Sequence, residues 1–261
     1  MATRIATNDP ENDGIVKVTN ADGVANLVLV CEHASCYIPA RFNNLGLTPE
    51  AAVSHIAWDP GAYEVATRLS ALLDAPLVAQ QVSRLIYDCN RPEHDPRAMP
   101  EKSEIYAIPG NENLSADDRQ QRIDAFYTPF HDKLASVIED KRRTGQQPDI
   151  ITVHSFTPVF LNKKRDVEIG VLHDTDARLA DSLLTTCKTD GRFDVRRNAP
   201  YGPEDRVTHT LQTQAIPLGL PNVMLEIRND LINTAQRQKS VAEWIAKHVA
   251  SARLNAEARS A

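Results

Sequence analysis

The sequence predicts an α/β protein, a three-layer α/β/α sandwich around a mainly parallel (mixed) central sheet. Three observations carry that expectation. Short apolar runs rich in Val, Ile and Leu, at 27–31, 76–80, 149–153, 167–172 and 222–227, read as strands buried on both faces. Segments whose apolar residues recur every three to four positions separate several of these runs, the alternation of a doubly wound fold. Four stretches, CEHAS at 31–35, SRLIYDCNRP at 83–92, ITVHSF at 151–156 and VMLEIRND at 223–230, lead from apolar chain into reactive side chains. Parallel strands bring their C-terminal ends to one crevice, so four such ends can build one site.

Taken in order, residues 1–24 are polar and interrupted by Asp, Asn, Pro and Gly, and read as a loosely held lead-in to a single domain over 25–254. The first strand is 27–31. Residues 61–73 follow Asp59 and Pro60, which suit a helix cap and first-turn proline, and carry a helical period. After the strand at 76–80, residues 88–114 hold several prolines and no period; an irregular connection of that length in a compact domain is more often functional than a linker. Residues 115–143 start at a capping Ser115 and place Ile123, Phe126, Phe130, Leu134 and Val137 on one side, with Pro129 expected to kink or split the helix. Strands at 149–153 and 167–172, a helix at 176–187, an irregular stretch at 196–209, a strand at 222–227 and a helix at 235–253 complete the pattern.

Bulk properties narrow the function. With 42% hydrophobic and 25% charged residues, the chain can bury a full core and is neither disordered nor fibrous. Its 29 basic and 35 acidic residues are intermixed, giving a net charge of -6 and no broad cationic face for nucleic acid. No stretch approaches the roughly 20 apolar residues of a membrane span, and the start lacks the apolar core of a secretory signal, so a cytoplasmic protein without a membrane partner is expected. Four cysteines without a CxxC pair argue against a disulfide framework and a zinc knuckle.

His33 and His154 each follow a buried strand, a rigid platform for a metal-ligating imidazole; the competing role is a histidine bonded to nearby backbone. A catalytic zinc takes three protein ligands and leaves one position open. Asp59 could reach inward as the third or could simply cap the following helix. Glu32 would point away from His33 if strand geometry persists past Cys31. Cys36 is either a soft ligand or a small buried residue. Arg84, Asn90 and Arg91 would suit a bound carboxylate, with ion pairs to Asp88 or Glu93 as the alternative. Glu226 closes a strand, where desolvation would raise its pKa and make it a proton acceptor; a salt bridge with Arg228, on the same face, is the other reading. His209, in the irregular stretch before the last strand, is expected either at the substrate or on the surface.

Together, EHAS-x-x-IP, WDPGA, S-R-L-I-Y-D-x-N-R-P, V-H-S-F and L-E-I-R-N-D-L resemble the N-formylglutamate amidohydrolase family over about 26–250. The resemblance implies a phosphorylase/hydrolase-like fold akin to zinc carboxypeptidases. It implies a metal-dependent amidohydrolase cleaving a small N-acyl amino acid, such as N-formyl-L-glutamate in histidine degradation. By the wider zinc-exopeptidase pattern, zinc or another divalent metal would sit on His33 and His154, Asn90 and Arg91 would match its Asn-Arg pair, with Arg91 catalytic, and Glu226 would be the general base; beside the pattern, Asp59 is the nominated third ligand, and Arg84, Asn90, Arg228 and His209 would face the substrate. One element departs from that pattern: Cys36 stands three residues after His33, where a glutamate is expected. A non-catalytic binder of anionic small molecules, which Cys36 favours, is the alternative. An iron-dependent oxygenase fits the ligand types but not the helix-rich alternation. The assembly is expected to be a monomer or small homo-oligomer.

Overall fold

A computed structural model describes residues 14–260, with side chains to 254. Its centre is a seven-stranded sheet. Four mutually parallel strands form the middle, in the order β3 (Leu77–Gln80), β2 (Leu27–Cys31), β6 (Asp149–Phe156) and β11 (Asn222–Arg228). An antiparallel strand β1 (Val16–Thr19) borders β3. On the other side β9 (Ile169–Leu172) runs antiparallel to β11, with β10 (Val195–Arg197) parallel to β9 at the edge. Two small hairpins, β4 (Lys102–Ser103) with β5 (Tyr106–Ala107) and β7 (Val159–Phe160) with β8 (Lys163–Lys164), stand apart from the sheet.

Seven helices complete the layers: α1 (Pro49–Ala52), α2 (Ala62–Leu73), α3 (Ala116–Arg122), α4 (Thr128–Arg143), α5 (Arg178–Lys188), α6 (His209–Gln214) and α7 (Ala235–Ser260). Alternation along the strands assigns the two faces. Leu27, Leu29, Ile151, Val153, Val223 and Leu225 pack under α2, α5 and α7. Val28, Val30, Ile150 and Met224 pack on the opposite side with Phe126, Phe130, Leu134 and Ile138 from α4 and the turn before it. Ser115 caps α3 in a reciprocal box with Asp118, as the sequence predicts. The expected break near Pro129 is a π-helical turn over Ile123–Tyr127 within an otherwise continuous helical run, with Thr128 N–H bonded to the Ile123 carbonyl, and the wider turn just before Pro129 makes room for its ring.

Two expectations change. The lead-in assigned to 1–24 contains β1, an edge strand of the main sheet, while residues 1–13 lie outside the described residues. Asp59 does not cap α2 with its side chain; Gly61 occupies the cap position with no side-chain bond. That glycine has a φ of +83°, and a Cβ there would come within 2.7 Å of the Ile232 carbonyl, so the WDPGA turn requires it.

Candidate active site

The face that carries Val28, Val30, Ile150 and Met224 carries polar residues at the C-terminal ends of β6 and β11. Glu226 on β11 pairs directly with His154 on β6, so both side chains project from the same face. The chain turns immediately after Cys31, and this turn presents both Glu32 and His33 to the same place.

Three ligand-type atoms converge there. His154 Nδ1 lies 2.9 Å from Asp59 Oδ2 and 3.2 Å from His33 Nδ1, and His33 Nδ1 lies 3.3 Å from the same Asp59 oxygen. Metal bonds of about 2.0–2.1 Å at tetrahedral angles hold neighbouring ligand atoms about 3.3 Å apart, so the triangle has the edge lengths of three corners of such a site. The opposite nitrogen of each ring faces a carboxylate: His33 Nε2 is hydrogen-bonded to Asp88 at 2.7 Å, and His154 Nε2 makes an ion-pair contact with Glu32 at 3.1 Å that lies outside hydrogen-bond geometry. A carboxylate on Nε2 keeps the proton there and leaves the Nδ1 lone pair for a ligand. The donor set fits a divalent metal such as zinc.

Burial and charge agree with this geometry. His33, Asp59, His154, Glu32 and Asp88 are all buried. Burial pulls both imidazoles down, but Asp88 and Asp59 at His33, and Glu32 and Asp59 at His154, outweigh it and raise both. Burial opposes ionisation of Asp59, yet Arg84 and the histidines hold its carboxyl well below the usual range. A divalent metal held by His33, His154 and Asp59 would take the place of the Nδ1 protons that Asp59 otherwise attracts, while Asp88 and Glu32 keep the Nε2 protons. Arg84 forms an ion pair with Asp59, Nη2 to Oδ1 at 2.7 Å, donates from Nη1 to His33 Nδ1 at 3.1 Å, and bonds the carbonyls of His55, Ile56 and Trp58.

Glu226 is 5% exposed, and its Oε2 has no hydrogen-bond partner. Burial, more than the repulsion of Asp59, pushes its pKa up to about 7 against the attraction of the histidines and Arg84. His33, Asp59, Arg84, Asn90, Arg91, His154 and Glu226 all line one cavity of about 480 Å³.

The remaining expected residues are placed differently. Asn90 and Arg91 border the cavity but also stitch loops together: Asn90 donates to the Val207 carbonyl and accepts from Thr210 N–H, while Arg91 donates to the Asp205 and Arg206 carbonyls. Arg228 and His209 do not line the cavity. Arg228, at the last position of β11, bonds Asp230 at 2.8 Å and the Arg165 and Asp166 carbonyls, and lies 3.5 Å from Glu168. His209 is buried against Tyr127, whose hydroxyl is 2.8 Å from its Nε2. Cys36 is a half-buried free thiol packed toward the α4 side and is not part of the histidine–aspartate group. Glu32 and Asp88 were not among the expected site residues. In sequence Asp88 suits an arginine partner equally well, and strand alternation, which ends at Cys31, points Glu32 away from the site.

A buried two-histidine, one-aspartate centre beside an unpaired carboxylate, at the C-terminal edge of a parallel α/β/α sheet, is the equipment of a hydrolase. Residues 25–233 match the model of the N-formylglutamate amidohydrolase family, and the chain belongs to that family. Among solved structures it is similar to the gene product Atu2144 from Agrobacterium tumefaciens, with 49% identity and a TM-score of 0.93 over 95% of this chain and 98% of that one. An N-formylglutamate amidohydrolase from Ralstonia eutropha JMP134 shares the fold at 18% identity, with a TM-score of 0.61 over 92% of this chain and 98% of that one. No curated protein matches. Among the described residues no helix is long and apolar enough to cross a membrane.

Proposed function

We propose that the protein is a metal-dependent amidohydrolase that cleaves a small N-acyl amino acid, with N-formyl-L-glutamate, giving formate and glutamate, as the leading substrate. The observation that supports this most is the triangle of His33 Nδ1, His154 Nδ1 and Asp59 Oδ2 in the same cavity as the unpaired Glu226. A divalent metal held by those three residues supplies a Lewis acid for the amide carbonyl and lowers the pKa of a water toward about 7.

Glu226 takes a proton from the attacking water as its oxygen adds to the carbonyl carbon, then returns it to the amide nitrogen as the C–N bond breaks. A pKa near 7 suits both halves of that transfer. Asp88 and Glu32 hold the two imidazoles in the ligating tautomer. Arg84 and Arg91, both on the cavity wall, place positive charge where the carbonyl oxygen becomes an oxyanion, an effect worth about 3 kcal/mol per well-aimed donor. Arg228 and His209 are given no part in substrate contact.

The test is a panel of N-acyl amino acids offered to zinc-loaded and to chelated protein. Hydrolysis of N-formyl-L-glutamate by the loaded protein alone is the expected result. Equal hydrolysis after complete metal removal would refute the metal role, and no hydrolysis of any N-acyl amino acid by loaded protein would refute the reaction.

A further inference from the structure

We propose that Arg165 is the residue that selects a carboxylate on the substrate; the inference rests on the amide hydrolysis proposed above and concerns which amides are taken.

Several cations stand around the cavity. Arg84, Arg91, Arg97 and Lys102 line it. Asp59 matches the charge of Arg84, Asp88 stands 3.7 Å from Arg91, and Asp95 holds Arg97 at 2.7 Å. Lys102 is exposed, where an ion pair gains little against water and salt. None of these four is both partly desolvated and without a carboxylate.

Arg165 is both. It is half-buried, and it makes no ion pair among the described residues. Its guanidinium carbon lies 4.6 Å from the ring centre of Phe160, 4.9 Å from that of Tyr201 and 5.6 Å from that of Phe156. All three rings line the cavity. The Tyr201 phenol, pushed up by burial and the charge of Glu226 and drawn down by Arg165 and Arg84, lies near all three charged groups. Ring packing occupies the faces of a guanidinium, whereas its N–H groups donate in the plane, the geometry that fits a carboxylate with two parallel bonds.

The chain around Arg165 is fixed. Its N–H bonds the Pro158 carbonyl at 2.8 Å, closing the β7–β8 hairpin. Arg228 donates to the Arg165 carbonyl at 3.3 Å and to that of Asp166 at 3.0 Å. Carboxylate recognition, expected of Arg228 from sequence, thus passes to the residue that Arg228 holds in place.

Arg165→Met keeps the stem that packs on the rings and removes the charge and its donors. The kinetic probes are N-formyl-L-glutamate and its neutral diamide, with metal content and thermal midpoint measured alongside. Loss of charge-assisted bonds is expected to raise KM for the diacid roughly 10- to 100-fold, with kcat nearly unchanged and the diamide unaffected. A variant that retains the wild-type preference for the diacid overturns the proposal. Should wild-type protein hydrolyse neither compound, the reaction fails but Arg165 is still tested by calorimetric binding of L-glutamate. Weaker binding by the variant supports the anchor; equal binding, or none to the wild type, overturns it. Arg165→Gln, which keeps a polar, uncharged side chain, serves if the methionine disturbs the hairpin.

Discussion

Replacing Glu226 by glutamine is expected to abolish turnover while making the metal-free protein more stable at neutral and alkaline pH. The carboxyl is buried and titrates near 7 rather than at its ordinary 4.5. In the unfolded chain it ionises around 4.5, but in the fold it resists ionisation until about 7. The folded protein therefore binds the extra proton in that window, and stability falls as pH rises through it. The gap corresponds to roughly 3 kcal/mol at 1.36 kcal/mol per pH unit. Glutamine has no charge to bury, so in the absence of metal Glu226→Gln should exceed the wild type by up to about 3 kcal/mol at pH 8 and match it near pH 4. Urea unfolding of chelated protein at the two pH values measures the difference as a shift in midpoint at constant slope. Turnover should fall roughly 10²- to 10⁴-fold, the usual contribution of a general base. A variant that is no more stable at pH 8, or one that keeps most of its turnover, would refute the reading of Glu226 as a desolvated base.

Glu32→Gln should weaken zinc binding roughly 10- to 100-fold, read by competition with a chromophoric chelator, because the amide no longer draws the proton to His154 Nε2. His209 is held neutral mainly by burial, with a pKa lowered to about 4. Here the unfolded state binds the extra proton, so stability is lost as pH falls from about 6.5 to 4, by up to about 3 kcal/mol, and His209→Gln should flatten that part of a denaturation-versus-pH curve. Gly170, paired with Glu226 across β9 and β11, would put a Cβ 2.0 Å from the Ala199 carbonyl. Gly170→Ala should cost roughly 1–3 kcal/mol by thermal or urea unfolding, since backbone must move to admit the methyl group.

Much of the parallel core is legible from the sequence because β2, β6 and β11 are buried on both faces and read as continuous apolar runs. β1 is not, since VKVT places a lysine in a short edge strand within a polar segment. The direction of β9 is equally hidden: a four-residue apolar run looks the same in parallel and antiparallel company, and β9 pairs antiparallel with β11. At the site, His33, His154 and Glu226 are visible as polar residues ending strands. Asp59 is ambiguous in sequence, since an aspartate before a helix suits a cap as well as a ligand, and its side chain turns to the histidines instead. Glu32 is misjudged because alternation holds only while the chain stays extended, and it turns at that residue. Arg228 shares a face with Glu226, but two further residues carry it past the cavity to the Arg165–Glu168 segment.

Elemental analysis of purified protein after zinc loading and gel filtration tests the centre most directly, applied to the wild type, Glu226→Gln and a His33→Ala, His154→Ala double variant. One zinc per chain in the first two and none in the double variant is the expected result. Protein that retains no metal as wild type, or a double variant that retains as much as the wild type, would contradict a metal centre built on His33, Asp59 and His154.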